Sequence, residues 1–375
     1  MISPTENTVT RDTPAGASVP DAPREIPDAS PQAGQSPAPL SSFGAGRGVW
    51  LSRLLITLLV FLTFHPTLKH TLLPWDDLGN ITRNPHVFPP STAGLSRIWT
   101  SPYDGLYVPL VYTSFAAEAL LAGTDEQRLS RLIHFDNLVL HVAAALVVFE
   151  LLRRLLGPAV AGSPAARVPG AAVTGAALAG SLLFALHPLQ AEAVNWATGR
   201  KDLMAGLLAL YSLLQYATWR QTGRRPALGL ALGAYGLALL AKPAAVSVPV
   251  AAAVLDYYAF RLSPRRSLRS LWPWFATALV FAAATARIQQ AASGGYEAPF
   301  PPAWTRPFVA ADSLAFYMGK IVLPWGLSPV YTRTVSAVVA DRALLLLALP
   351  LAAIPLAFLL TRRNLIGAGS AAALA

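Results

Sequence analysis

Long apolar runs separated by short polar segments dominate the chain from residue 48 onward. About 20 apolar residues in a helix cross the hydrocarbon core of a bilayer. Runs of this kind predict eight membrane-spanning helices, at 48–67, 131–153, 171–190, 201–219, 226–241, 243–260, 271–289 and 342–361. Two further runs, 108–122 and 308–324, are shorter and more polar, and we expect them to form interfacial or re-entrant helices. The pattern predicts an all-α polytopic membrane protein.

Arginine clusters flank the apolar runs and predict their orientation, because positive charge is retained on the cytoplasmic side. The clusters are Arg153-Arg154 with Arg167, Arg220 with Arg224-Arg225, Arg261 to Arg269, and Arg362-Arg363. All of them lie on the same side of the membrane if only the eight long runs cross it. Both termini are then cytoplasmic, and 68–130 and 290–341 become long external loops. We expect a multi-pass protein of the cytoplasmic (inner) membrane with its active face extracytoplasmic.

Composition narrows the function classes. The 375 residues are 54% hydrophobic and only 13% charged, well below the share in soluble domains. The net charge of +10 lies mostly in the flanking arginines, so we expect no nucleic-acid partner. Without cysteine, the chain has no disulfide, thiolate metal site or Cys nucleophile.

The domain organisation follows from the same composition. Residues 1–46 are rich in Pro, Ala, Ser and Gly, which predicts a disordered cytoplasmic tail. This stretch is not a typical signal peptide, so we expect the first helix to be a retained anchor. A transmembrane domain over 47–362 and a short C-terminal tail over 363–375 complete the prediction.

An adjacent pair of carboxylates, Asp76 and Asp77, follows the first apolar run. Beside a membrane surface, a carboxylate can take a proton from a hydroxyl that attacks a lipid-carried substrate. Adjacent like charges also tend to raise the pKa of one carboxyl. The alternative is that the pair forms a turn or caps a helix.

Further polar residues collect on the same predicted face. A lipid-phosphate donor needs cations, since Arg binds phosphate with its planar fork and Lys as a point charge. The candidates for binding substrate or lipid phosphate are His187, Glu192, Arg200, Lys201, Lys242, Tyr331 and Arg333. Alternatively, Arg200-Lys201 anchors a helix end and Lys242 caps a helix C-terminus.

A second set of residues is expected to support the site. His134, Asn137 and His141 share one helix face at spacing i, i+3, i+7. That spacing lacks the i, i+4 pair of helical zinc sites, so interhelical hydrogen bonds are the expectation and metal is not. Asn84 and Asp202 are the other supporting candidates.

Taken together these residues resemble the membrane part of the GT-C glycosyltransferases. The resemblance extends to bacterial membrane proteins with tetratricopeptide repeats and to the O-mannosyltransferases that act on cadherins. The segments that carry it, in order, are Asp76-Asp77 with Asn84-Pro85, Tyr107-Val-Pro-Leu110, His134-Phe-Asp-Asn137 with His141, Phe184-Ala-Leu-His-Pro188, Glu192-Ala-Val-Asn-Trp196, Gly199-Arg-Lys-Asp202, Leu240-Ala-Lys-Pro243, Asp256-Tyr257 and Leu327-Ser-Pro-Val-Tyr331.

The resemblance implies a GT-C-like helical bundle and a polyprenyl-phosphate-linked sugar as donor. It also implies an inverting transfer to a protein or glycan hydroxyl, with Asp76 or Asp77 as the base and Asp76 slightly favoured. By the same resemblance no cofactor or metal is expected, because fixed cations can stabilise the leaving phosphate.

Two departures from the family pattern stand out. Val108 occupies the place where the family usually has Arg, and no 34-residue helix–turn–helix repeat follows the last apolar run. We therefore expect acceptor choice to use another surface or a partner subunit. The alternative function is a non-catalytic GT-C-like subunit that binds lipid or acts as a scaffold in a membrane complex.

Overall fold

The computed structural model describes residues 46–157, 170–292, 305–329 and 331. Within these ranges the protein is all-α, which confirms the predicted fold class. The helices are α1 Arg47–Phe64, α2 Asp76–Asn80, α3 Thr92–Thr100, α4 Pro109–Ala122, α5 Glu126–Leu156, α6 Gly170–Ala185, α7 Gln190–Asn195, α8 Arg200–Thr222, α9 Arg225–Ala241, α10 Val248–Tyr258, α11 Pro264–Ala292 and α12 Arg306–Val322. Short 3₁₀ turns cover His65–Lys69, Ala197–Gly199 and Pro243–Ser247.

Three of the described helices are long and apolar enough to cross a membrane: Arg47–Lys69, Glu126–Leu156 and Pro264–Ala292. Shorter apolar helices cover Pro109–Ala122, Gly170–Ala185, Arg225–Ala241 and Pro243–Tyr258. An all-α membrane protein is thus confirmed, while the number of eight crossings stays a prediction. The last predicted span, 342–361, and the basic pair Arg362-Arg363 lie outside the described residues.

Local sequence signals fix where several helices begin and end. The Asp125 carboxylate accepts a hydrogen bond from the Arg128 backbone N–H at 2.9 Å and so caps the N-terminus of α5. Gly223 ends α8 in the left-handed conformation, with φ of 68°, which glycine adopts without steric cost. Pro109 opens α4 at a position where its missing N–H costs nothing.

Helix α5 packs against α1, α4, α6 and α8, and α8 packs along α9. Small residues allow these backbones to approach closely. The Ser181 hydroxyl of α6 donates to the Ala145 carbonyl of α5 at 2.7 Å, and the Ser212 hydroxyl of α8 donates to the Ala231 carbonyl of α9 at 2.8 Å. Because α5 and α8 pack closely along each other, the chain segments at one end of α5 lie beside those at the adjacent end of α8.

At the other end of α8, Arg220 forms a buried network. Its Nε donates to Asp256 Oδ1 at 2.8 Å and its Nη2 donates to Oδ2 at 2.7 Å, a bidentate ion pair between α8 and α10. Tyr216 also donates its hydroxyl to Asp256 at 2.8 Å. The sequence assigned Arg220 to membrane orientation, and the structure adds a packing role, because Asp256 is fully buried.

Replacing Asp256 with Ala should lower the free energy of unfolding by about 3 kcal/mol, because breaking a buried pair leaves Arg220 without its counter-charge. Thermal unfolding of the protein in detergent, followed by tryptophan fluorescence, measures this change. Arg224→Gln is the matched control, since Arg224 is exposed. Equal melting temperatures for the two variants would contradict the packing role.

Candidate functional site

The two adjacent carboxylates have opposite surroundings. Asp76 is exposed and Asp77 is completely buried, at the start of the short helix α2. Asp77 Oδ2 accepts from the Leu73 N–H at 2.9 Å, and Oδ1 accepts from the Thr198 N–H at 2.9 Å. Asp77 therefore ties the first loop to the segment before α8, and it leaves Asp76 as the carboxylate that faces open space.

The rest of the first loop is held by asparagines. Asn84, completely buried, accepts from the His86 N–H at 2.9 Å and donates to the Asn80 carbonyl at 3.3 Å. Asn80 accepts from the Tyr112 hydroxyl at 2.7 Å and donates to the Asp76 carbonyl at 2.8 Å. This chain of hydrogen bonds connects α4 to the backbone of Asp76.

The segment Trp196–Arg200, called here the 196–200 turn, joins α7 to α8. Asn137 of α5 donates to the Trp196 carbonyl at 3.0 Å and to the Ala197 carbonyl at 3.3 Å. Gly199 fits against the Ala193 carbonyl so closely that a Cβ atom there would lie 2.3 Å from the oxygen. The turn accepts no larger residue at position 199 without moving.

Arg200 is only 1% exposed, and its guanidinium is surrounded by protein groups. Nε donates to Asn137 Oδ1 at 2.7 Å, Nη1 to Ser114 Oγ at 3.1 Å and Nη2 to the Ile133 carbonyl at 2.7 Å. Nη2 also lies 2.8 Å from Glu118 Oε1. Burial raises the pKa of Glu118, and the Arg200 charge opposes that rise.

This placement separates Arg200 from the other cations that the sequence singled out for phosphate. A guanidinium engaged on every nitrogen and closed to solvent fixes the 196–200 turn between α4 and α5. The structure therefore favours a positioning role for Arg200, and any phosphate contact falls to residues that face open space.

His134 and His141 make contacts between segments. His134 Nδ1 lies 3.2 Å from the Thr67 hydroxyl, and His141 Nε2 donates to the Ala185 carbonyl of α6 at 2.8 Å. In the part of the chain that the structure describes, no group of three His, Asp or Glu residues could hold a metal ion. The expectation that no metal takes part stays a prediction.

A cleft of about 690 Å³, called here the charged cleft, opens beside the 196–200 turn. Asp76, Glu192, Lys201, Asp202 and Lys242 line it. The Lys242 ammonium is paired with the Asp202 carboxylate. Among the described residues, no carboxylate lies within ion-pair distance of the Lys201 ammonium. Residues from three separate connections thus meet around one open space.

A second cleft of about 680 Å³, called here the apolar cleft, also borders α7. Its walls come from the segments 69–73, 188–196 and 327–329 and from Tyr331. Leu189, Glu192 and Trp196 line both clefts, so the two spaces meet at α7 and its flanks.

His187 lies next to the apolar cleft, and Tyr331 lines it. His187 Nδ1 accepts from the Leu189 N–H at 3.2 Å, so Nε2 carries the proton that it donates to the Ile321 carbonyl at 2.9 Å. This bond ties the connection before α7 to the C-terminal end of α12. Tyr331 lines the cleft, and its hydroxyl accepts from the Ser328 N–H at 2.9 Å.

The structure brings together Asp76, Glu192, Lys201, Asp202 and Lys242 around the charged cleft, while Asp77, Asn84, Asn137 and Arg200 are buried and do not line it. Arg333 lies outside the described residues. Sequence reasoning missed Thr198 as the donor to Asp77 and Tyr107 as a wall of the charged cleft. Tyr107 belongs to the Tyr107-Val-Pro-Leu110 segment, which is one of those that carry the family resemblance, so the sequence did contain a signal for it.

Comparison with known proteins relates part of the chain to two fruit-fly enzymes. Over 159 residues it is 30% identical to Protein O-mannosyl-transferase Tmtc3 of Drosophila melanogaster, covering 39% of this chain and 17% of that protein. It is 31% identical over 159 residues to Tmtc2, with coverage of 40% and 15%. The predicted resemblance is confirmed. No family model matches the chain, and no solved structure matches it significantly.

The matched region is weakly similar and spans less than a fifth of either relative. It supports a glycosyltransferase-like function and a membrane location at a coarse level. The assignment of the donor, the acceptor and the catalytic residues rests on the geometry of the site.

Replacing Asp77 with Ala should lower the free energy of unfolding by about 2 kcal/mol, because two backbone N–H groups lose their acceptor in a buried setting. Asp76→Ala is the matched control and should change stability by no more than about 0.5 kcal/mol, since its side chain is exposed. Chemical unfolding of both variants in detergent gives the comparison. An equally small effect of both changes would contradict the role given to Asp77.

Arg200→Met should cost about 3 kcal/mol, because it leaves the buried acceptors Asn137 and Glu118 without their donor. Adding Glu118→Gln to the Arg200→Met variant should recover part of that loss. A double-mutant cycle on melting temperatures tests this, with an expected coupling of about 1 to 3 kcal/mol. Strictly additive effects would show that the two side chains do not stabilise each other.

Proposed function

We propose that this protein is a glycosyltransferase that moves a sugar from a polyprenyl-phosphate-linked donor to a protein or glycan hydroxyl. The observation that carries the proposal is the charged cleft, where three exposed carboxylates, Asp76 among them, share one open space with two lysines. Such a reaction needs a proton acceptor for the attacking hydroxyl and positive charge for the departing phosphate. Similarity to two protein O-mannosyl-transferases supports the reaction class.

Asp76 is the proposed general base. It takes the proton of the acceptor hydroxyl while the oxygen forms a bond to the anomeric carbon of the sugar. The bond between that carbon and the phosphate oxygen breaks, and the bonding electrons leave with the lipid phosphate. Asp76 suits this role because it is exposed in the charged cleft, whereas Asp77 is buried with both oxygens already hydrogen bonded.

Lys201 and Lys242 are the proposed phosphate ligands. Lys201 is the second residue of α8 and follows the buried Arg200, so the 196–200 turn fixes its backbone. Lys242 lies in the connection between α9 and the following 3₁₀ turn, and its ammonium is paired with the Asp202 carboxylate. A phosphate group entering the cleft would share or replace Asp202 as the partner of Lys242.

The proposed setting is the extracytoplasmic face of the cytoplasmic (inner) membrane. Asp76 and residues of the segments 105–108, 189–202, 242–244 and 285–289 line the charged cleft, and the arginine clusters on the other loops favour the opposite side as cytoplasmic. No cofactor is invoked, because a base and two fixed cations supply what the transfer requires.

Asp76→Asn should reduce transfer by at least about 100-fold while leaving the melting temperature unchanged, since the amide cannot accept the proton. The measurement is transfer of radiolabelled sugar from undecaprenyl-phosphate mannose and undecaprenyl-phosphate glucose to envelope proteins and glycans in proteoliposomes. Lys201→Gln should instead raise the apparent KM for donor, because it removes a phosphate contact.

The matched control is Asp104→Asn, an exposed first-loop carboxylate that lies outside the charged cleft and should keep full activity. Full activity of Asp76→Asn would rule out the proposed base. Binding of the donor lipid by the native protein without any transfer would favour the alternative of a non-catalytic lipid-binding subunit.

A further inference from the structure

The two ends of helix α11 have different surroundings. Thr285 and Gln289, near its C-terminal end, line the charged cleft. Arg265, Arg266 and Arg269, called here the basic end of α11, occupy its first two turns and are exposed. About 20 residues separate Arg265 from the cleft wall, which is about 30 Å at the rise of an α-helix. This length matches the hydrocarbon core of a bilayer, and α11 is long and apolar enough to cross one.

The basic end of α11 is level with the start of α9. Tyr235 of α9 stacks on Trp274 of α11 with the ring centroids 5.2 Å apart, and each is the eleventh residue of its helix. Arg220, close to the C-terminal end of α8, donates to the Ser270 hydroxyl of α11. Because α9 follows α8 directly, the exposed Arg225 at its start lies at the same level as the basic end of α11.

The exposed arginines at this level lack counter-charges in the protein. Within the described ranges, no carboxylate lies within ion-pair distance of Arg225 or of the basic end of α11. The buried Asp256 of α10 is already paired with Arg220. Several uncompensated guanidinium groups at one level favour an anion that comes from outside the chain.

An exposed apolar stripe continues from the basic end along the same face of α11. Its members follow one another at intervals of about one or two helical turns: Arg265, Leu268, Trp272 and Leu279. The side chains of Leu268, Trp272 and Leu279 are 58%, 63% and 71% exposed, and the buried residues of α11 lie on the opposite face. Arginine, then an aromatic ring, then aliphatic side chains is the order that suits the headgroup, the interface and the acyl chains of a lipid leaflet.

This order distinguishes between classes of ligand. A nucleic acid or an acidic protein would pair with the arginines but leave Leu268 and Trp272 uncovered. A zwitterionic phospholipid carries its own cation and would leave the guanidinium charge unbalanced. An anionic phospholipid satisfies both features, because its phosphate accepts paired hydrogen bonds from arginine while its acyl chains cover the apolar stripe.

We propose that the basic end of α11 binds the phosphate of an anionic phospholipid through Arg265 and Arg269, with the acyl chains along Leu268, Trp272 and Leu279. Such a lipid would be held at the opposite end of α11 from the charged cleft. It is bound and not consumed, so the inference does not depend on the proposed function.

Native mass spectrometry of the full chain in detergent measures this binding. The added lipids are dioleoyl-phosphatidylglycerol, which is anionic, and dioleoyl-phosphatidylcholine, which is zwitterionic and has the same acyl chains. One variant combines Arg265→Gln with Arg269→Gln. The matched control combines Arg97→Gln with Arg287→Gln, which removes the same charge from exposed arginines elsewhere.

The native protein should bind phosphatidylglycerol at least about tenfold more tightly than phosphatidylcholine, because only the anionic headgroup balances the arginines. The variant with Gln at 265 and 269 should lose this preference, and the control should keep it. Lysine at 265 and 269 should keep most of it, since the charge is retained.

A second variant tests the acyl-chain part of the surface without changing charge. Trp272→Ala should weaken phosphatidylglycerol binding about threefold, because it removes apolar contact area beside the headgroup. Trp50→Ala, which changes a similarly exposed tryptophan of α1, should leave the binding unchanged. This pair also keeps the test decisive if the glutamine variant fails to fold.

Equal binding of the two lipids by the native protein would overturn the proposal outright. Loss of the preference in the control variant as well would show attraction by net charge and no site on α11. Displacement of phosphatidylglycerol by soluble glycerol 3-phosphate would overturn it in favour of a site for a free phosphate compound.

Two further outcomes would assign the surface to another occupant and overturn the proposal. One is tighter binding of undecaprenyl phosphate than of phosphatidylglycerol at the basic end of α11. The other is a dimer in the mass spectra that Trp272→Ala abolishes, which would indicate a second copy of the chain. The proposed transferase fails separately, because Asp76→Asn should leave phosphatidylglycerol binding unchanged.

Discussion

Burial of Arg200 is the constraint on which the arrangement of the site depends. A guanidinium in a low-dielectric interior needs hydrogen-bonding or charged partners, because arginine stays protonated in proteins and cannot become neutral. The required partners come from two helices: Ser114 and Glu118 from α4, and the Ile133 carbonyl and Asn137 from α5. Satisfying one charge therefore fixes where α8 begins relative to both helices.

The same hydrogen bonds also position the residues around Arg200. Asn137, which accepts from Arg200, also donates to the 196–200 turn, and Thr198 within that turn donates to Asp77. Through these bonds the first loop and the start of α8 become parts of one structure. Asp76 and Lys201 each follow or precede a buried residue in the sequence, Asp77 or Arg200, so the backbone at both positions is fixed at the edge of the cleft.

Buried charge serves different ends in two parts of the protein. The pair of Arg220 and Asp256 joins α8 to α10 far along the chain from the charged cleft, and its groups are satisfied by each other and by Tyr216. The exposed pair of Lys242 and Asp202 lines a cleft instead, where screening by water makes it weak and exchangeable. Depth of burial thus separates charges that hold helices together from charges available to a substrate.

The sequence by itself determined the all-α membrane class, since long apolar runs with few charges admit no other packing in lipid. It also identified Asp76, Glu192, Lys201 and Lys242 as unusual, because isolated polar residues beside apolar runs are rare. It could not separate Asp76 from Asp77, or Arg200 from Lys201. Adjacent residues share a sequence context, and only the tertiary structure decides which of them points into the protein and which into a cleft.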